Sequence, residues 1–84
     1  MSFYAGYGEA SIGNSNYKGN SIVDGLKSGG YGNLSSYSQR EKLAEINGID
    51  NYRGTPEQNT NMLNMLKNGN LKVAKYGYVG YSNK

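Results

Sequence analysis

Thr55-Pro56-Glu57-Gln58-Asn59-Thr60-Asn61-Met62-Leu63-Asn64-Met65-Leu66-Lys67-Asn68-Gly69 carries a full set of helix instructions. The Thr55 hydroxyl can cap the first turn, Pro56 suits the first helical position, and Gln58 can reach back to complete a capping box. Met62, Leu63, Met65 and Leu66 then form one broad apolar stripe, and Gly69 supplies the left-handed geometry that ends a helix. The spacing predicts a helix over 56–68.

The same signals recur twice upstream. Ser36 with Gln39 opens a segment that continues through Leu43, Ala44 and Ile46 to Gly48, which reads as a helix over 37–47. Ser21 with Asp24 opens a shorter one, in which Ile22, Val23 and Leu26 share a face and Gly29-Gly30 marks the stop. Gly25 weakens that first helix. Leu34 and Ile49 read as plugs from the connecting loops. The expected fold is mainly α, a small bundle of three short helices.

Around this centre the composition changes. Residues 1–15 are rich in Gly, Ser and Tyr and read as an arm or linker; residues 16–70 hold nearly all the aliphatic side chains and read as the helical domain. Residues 71–84 read as a strand-like tail, because Leu71 and Val73 alternate with Lys before Tyr76, Tyr78 and Tyr81. Phe3, Tyr4 and Tyr7 share that Tyr/Gly character, so the two ends can pair within one chain or between two. An isolated two-stranded ribbon is marginal, so such a pair needs the helices or another subunit beneath it. A local rhyme runs through the domain: Asn16-Tyr17-Lys18-Gly19 returns as Asn51-Tyr52-Arg53-Gly54, and Leu26-Lys27-Ser28-Gly29 as Leu66-Lys67-Asn68-Gly69.

Composition excludes more than it assigns. A chain of 84 residues is one small domain with a thin core. With no cysteine there is no disulfide framework and no thiolate metal site, and with no histidine the commonest general base and zinc ligand are both missing. The six carboxylates, Glu9, Asp24, Glu41, Glu45, Asp50 and Glu57, show no spacing that pairs two of them across a cleft as glycoside hydrolysis requires. The expectation is a binding domain, not an enzyme, with no cofactor or metal. Nine Lys and Arg against six acids give a net charge of +3, too scattered for a nucleic-acid stripe. No window approaches the roughly 18 apolar residues of a membrane span, and Met1–Ala10 has neither the basic start nor the apolar stretch of a signal peptide. Nine Tyr and thirteen Gly beside many Asn and Ser make a polar-aromatic mixture suited to carbohydrate or adaptable contact surfaces.

Tyr17-Lys18-Gly19-Asn20-Ser21-Ile22-Val23-Asp24-Gly25-Leu26-Lys27-Ser28 and Ser38-Gln39-Arg40-Glu41-Lys42-Leu43-Ala44 begin an ordered set of segments. Asn47-Gly48-Ile49, Asn51-Tyr52-Arg53-Gly54-Thr55, Gln58-Asn59-Thr60, Leu63-Asn64 and Leu66-Lys67-Asn68-Gly69 continue it. Together, over residues 16–70, they resemble the C-terminal cell-wall-binding domain of phage and prophage N-acetylmuramoyl-L-alanine amidase endolysins. The chain departs from that pattern near Gly25 and Gly30-Tyr31-Gly32. The resemblance implies a noncatalytic domain that recognises Gram-positive peptidoglycan or an attached polymer such as teichoic acid, working with a catalytic endolysin chain. It also implies synthesis in the cytoplasm of the infected host and action at the wall.

The candidate ligand-binding residues are Tyr17, Lys18, Asn51, Tyr52, Arg53 and Asn59. Tyr17 and Tyr52 precede helix starts, where a ring can stack on a sugar face, with Lys18, Asn51 and Arg53 offering charge and hydrogen bonds. Each Tyr can equally be a staple that closes its turn over the core. Asn59, with Asn61 and Asn64, can read hydroxyls or acetamides, or can simply face solvent. Met62 and Met65 belong to the core stripe. The rival reading is a structural or assembly subunit that self-associates into a homo-oligomer through its Tyr-rich ends without binding glycans.

Overall fold

The computed structural model describes residues 9–74, and Phe3, Tyr4, Tyr7, Tyr76, Tyr78 and Tyr81, on which the pairing of the Tyr-rich ends was expected to rest, lie outside them. In chain order the elements are β1 (Glu9–Ile12), α1 (Ile22–Ser28), a single 3-10 turn (Gly32–Leu34), α2 (Tyr37–Ile46), α3 (Pro56–Lys67) and β2 (Leu71–Ala74). The architecture is mainly helical, three short helices with one two-stranded antiparallel ribbon.

Each helix begins where a side-chain oxygen takes up an orphan backbone donor. Ser21 accepts from Asp24 N at 3.1 Å, Ser36 from Gln39 N at 3.3 Å, and Thr55 from Gln58 N at 3.1 Å. The capping box at α3 is complete, since the Thr55 N–H donates to Gln58 Oε1 at 3.3 Å. At α2 only half of the expected box forms: Gln39 Oε1 is buried without a partner instead of reaching back to Ser36. The helices stop one residue before the sequence expectation at α2 and α3, and Gly69, at φ 75, takes the left-handed position after Asn68.

The core is built from Ile22, Leu26, Leu34, Leu43, Ala44, Tyr52, Met62, Leu63, Leu66, Leu71 and Val73. Leu34 is the plug the sequence indicated, and Ile49 packs half-buried against the same cluster. Gly25 is explained by packing: a Cβ there would lie 3.2 Å from Leu63 Cδ1, Leu66 Cδ2 and Tyr17 Cδ2, so the missing side chain lets α1 approach α3 closely.

In the ribbon Glu9 opposes Ala74 and Ile12 opposes Leu71. It lies on the helical core, because Leu71 and Val73 are part of the buried cluster and Ala10 and Ile12 pack against it. This packing supplies the support that an isolated pair of strands lacks. Two side-chain amides tie the ribbon to the helices. Asn47, just past α2, accepts from Lys72 N and donates to Lys72 O, both at 3.0 Å, as a neighbouring strand would. Asn14 donates to Gly25 O and Ser28 Oγ, both at 2.9 Å, while its N–H meets Leu66 O at 2.8 Å. Among the described residues no helix is long and apolar enough to cross a membrane.

Candidate functional site

The connection between α2 and α3 is where the sequence departs furthest from ordinary backbone. Asn51 has φ 55 and Gly54 φ 72, two left-handed residues within one short turn. Asn tolerates that region better than other side chains, and Gly enters it without steric cost. Gln58 then fixes the turn from the first turn of α3. Its Oε1 accepts from Arg53 N at 2.8 Å as well as Thr55 N, and its Nε2 donates to Asn51 O at 3.1 Å and Asp50 O at 3.5 Å.

Tyr52 points inward from this turn and is only 6% exposed. Its hydroxyl sits in a polar node at the edge of the core. Arg40 Nη1 donates to Tyr52 Oη at 2.6 Å and to Asn59 Oδ1 at 3.4 Å, and Tyr52 Oη donates to Asn59 Oδ1. Arg40 Nε donates to Ser35 O at 2.9 Å, and Asn59 Nδ2 to Gly54 O at 3.3 Å, so the node joins three segments. Burial pushes the Tyr52 phenol above its ordinary pKa, against the opposing pull of the Arg40 guanidinium. It therefore remains a protonated donor at neutral pH.

Tyr37, the first residue of α2, leans on the same node from outside. Its ring centroid is 5.4 Å from that of Tyr52, its hydroxyl donates to Tyr52 O at 3.3 Å, and the Arg40 guanidinium carbon lies 5.7 Å from its ring centre.

Beside this turn lies an open groove of about 570 Å³ lined by Glu41, Glu45, Ile49, Asp50, Asn51, Tyr52 and Arg53. Glu41 and Glu45 are one turn apart on α2 and exposed; Asp50, Asn51 and Arg53 are exposed on the turn. The lining holds three carboxylates and one guanidinium, so it offers mostly hydrogen-bond acceptors around an apolar patch from Ile49 and Tyr52. No group of three or more acidic side chains among the described residues is arranged to hold a metal ion.

The six expected ligand residues fall into two places. Asn51, Tyr52 and Arg53 line the groove, and Asn59 lies behind them in the Arg40 node. Tyr17 and Lys18 are elsewhere. The Tyr17 hydroxyl accepts from Ser21 N at 3.2 Å, and Lys67 Nζ stands 5.8 Å from its ring centre while donating to Gly19 O at 2.7 Å. Lys18 is exposed, with Nζ 3.5 Å from Ser15 O. Between Asn59 and Lys67, α3 rises by about 12 Å, so the two rhyming turns flank opposite ends of one helix. They also differ inside: Gly54 is required by its φ, whereas a Cβ at Gly19 would strike the Tyr17 ring.

Sequence reasoning passed over Tyr37, Arg40, Glu41 and Glu45. Three of these carry a visible signal, because Tyr37, Glu41 and Glu45 recur at intervals of four and share one exposed row of α2. The burial of Arg40 against Tyr52 has no such signal, since it depends on a turn twelve residues further on.

The chain is similar to an endolysin of Listeria phage A511, with 57% identity over 35 residues. The matched stretch is 42% of this chain and 10% of the phage protein. No family model matches the chain, and no solved structure matches it.

Proposed function

We propose that this chain is a noncatalytic cell-wall-targeting module of a phage endolysin, holding a peptidoglycan hydrolase of the N-acetylmuramoyl-L-alanine amidase type on the Gram-positive wall. The observation that carries the reading is the 57% identity over 35 residues with the Listeria phage endolysin. The groove beside the α2–α3 turn is the place for the wall ligand, peptidoglycan or a polymer attached to it. Asn51 and Arg53 face it directly from a backbone that Gln58 holds in one geometry, which limits the ordering cost of binding. Tyr52 and Asn59 act from beneath, by holding that turn against the core. Tyr17 and Lys18 form a separate surface, a second contact for the wall away from the groove.

The test is to add the fluorescently labelled pure chain to Gram-positive cells and follow cell-bound signal and culture turbidity together. Decoration of the cells at constant turbidity is expected. Absence of decoration contradicts targeting, and release of muropeptides by the pure chain contradicts the noncatalytic assignment.

A further inference from the structure

The node that holds the Tyr52 ring largely in the core also holds a second ring, Tyr37, that is far more exposed. Tyr37 is 49% exposed, the one large hydrophobic side chain so exposed among the described residues. It is not loose. Its hydroxyl is tied to Tyr52 O at 3.3 Å, and its inner surroundings are the Tyr52 ring and the Arg40 guanidinium. Gly54 lies against its edge, where a Cβ would come within 3.3 Å of Cε1, so no side chain shields it there. An exposed ring held in one orientation loses little entropy when a ligand stacks on it.

What stands next to the ring narrows the ligand. One and two turns along the same row of α2 are Glu41 and Glu45, both exposed and both lining the groove, with Asp50 and Arg53 across from them on the turn. A flat apolar ring followed by carboxylate acceptors suits a pyranose chain, whose C–H face stacks and whose hydroxyls donate. The acid-rich lining opposes a polyphosphate, although the chain as a whole carries +3.

We infer that Tyr37 is the stacking platform of the site and that the row Tyr37, Glu41, Glu45 binds the uncharged glycan strand of the wall rather than an anionic polymer attached to it. This rests on the wall-targeting reading above. The experiment measures binding of the whole chain to purified Gram-positive walls, intact and stripped of teichoic acid, for wild type, Tyr37→Phe, Tyr37→Ala and the double variant Glu41→Ala/Glu45→Ala, with circular dichroism on each. Wild type should bind both walls within about threefold, and Tyr37→Phe should follow it. Tyr37→Ala should lose more than tenfold, and so should the double variant, whose changes lie on an exposed helical face and leave the core untouched. Wild-type affinity in folded Tyr37→Ala or in the folded double variant overturns the inference while wall targeting stands. Loss of wild-type binding on removing teichoic acid overturns it in favour of the anionic polymer. Failure of wild type to bind either wall overturns the targeting reading and this inference with it.

Discussion

Tyr52 shows what a single residue decides here. Its position before a helix start leaves two roles open in the sequence, a ring for a ligand or a staple over the core. Burial to 6% exposure, with the hydroxyl locked between Arg40 and Asn59, makes it core. That outcome was not legible, because it depends on Arg40 arriving from another helix. Tyr52→Phe keeps the ring but leaves Arg40 Nη1 and Asn59 Oδ1 short of a partner, which should cost about 1–3 kcal/mol in chemical denaturation. The loss should also depend on pH. Because the folded phenol has a raised pKa, the native state holds its proton more tightly than the unfolded chain. The contribution is therefore full below the unfolded value near pH 10 and disappears as the pH climbs through the folded value. The stability lead of wild type over Tyr52→Phe should be flat from neutrality to about pH 9 and shrink above pH 10. A lead that grows with alkalinity would mean that the Arg40 guanidinium, not burial, dominates the phenol.

At the scale of elements, local chemistry was readable and long-range chemistry was not. The three N-caps, the stop at Gly69 and the plug at Leu34 follow from short-range rules, and all appear. Gly25 read as a weakness, because propensity counts only the helix that contains it; in the fold it is where α1 meets α3. Gln58 was legible as half of a capping box, but not as the clamp on the groove's turn, since its bonds to Asn51 and Asp50 need the tertiary path of that loop. Gln58→Ala should therefore do more than remove a cap worth about 1 kcal/mol. Hydrogen exchange should accelerate at the Arg53 and Thr55 amides while protection in the middle of α3, at Leu63 and Leu66, changes only by the global loss of stability. Equal acceleration across all four sites would mean that Gln58 serves the helix alone.

For the molecule as a whole, the helical class was legible from periodicity and caps, while the candidate site was only half legible. Asn51 and Arg53 were named and do line the groove, whereas Glu41 and Glu45 of α2, which line it too, were overlooked because exposed charges on a helix usually mark nothing but solvation. The two rhyming turns, similar as tetrapeptides, lie at opposite ends of α3 and face different neighbours, Arg40 at one end and Lys67 at the other. The domain is small, its core is thin, and an open groove lies beside the α2–α3 turn. The claim that this surface grips the wall through the α2–α3 groove is tested most directly by titrating the isotope-labelled chain with soluble glycan fragments of Gram-positive peptidoglycan and following its amide resonances. The account predicts shifts concentrated at Tyr37, Glu41, Glu45, Asn51 and Arg53, with Tyr17 and Lys18 little changed. Shifts confined to Tyr17, Lys18 and Lys67, or none at all at saturating fragment, would contradict it.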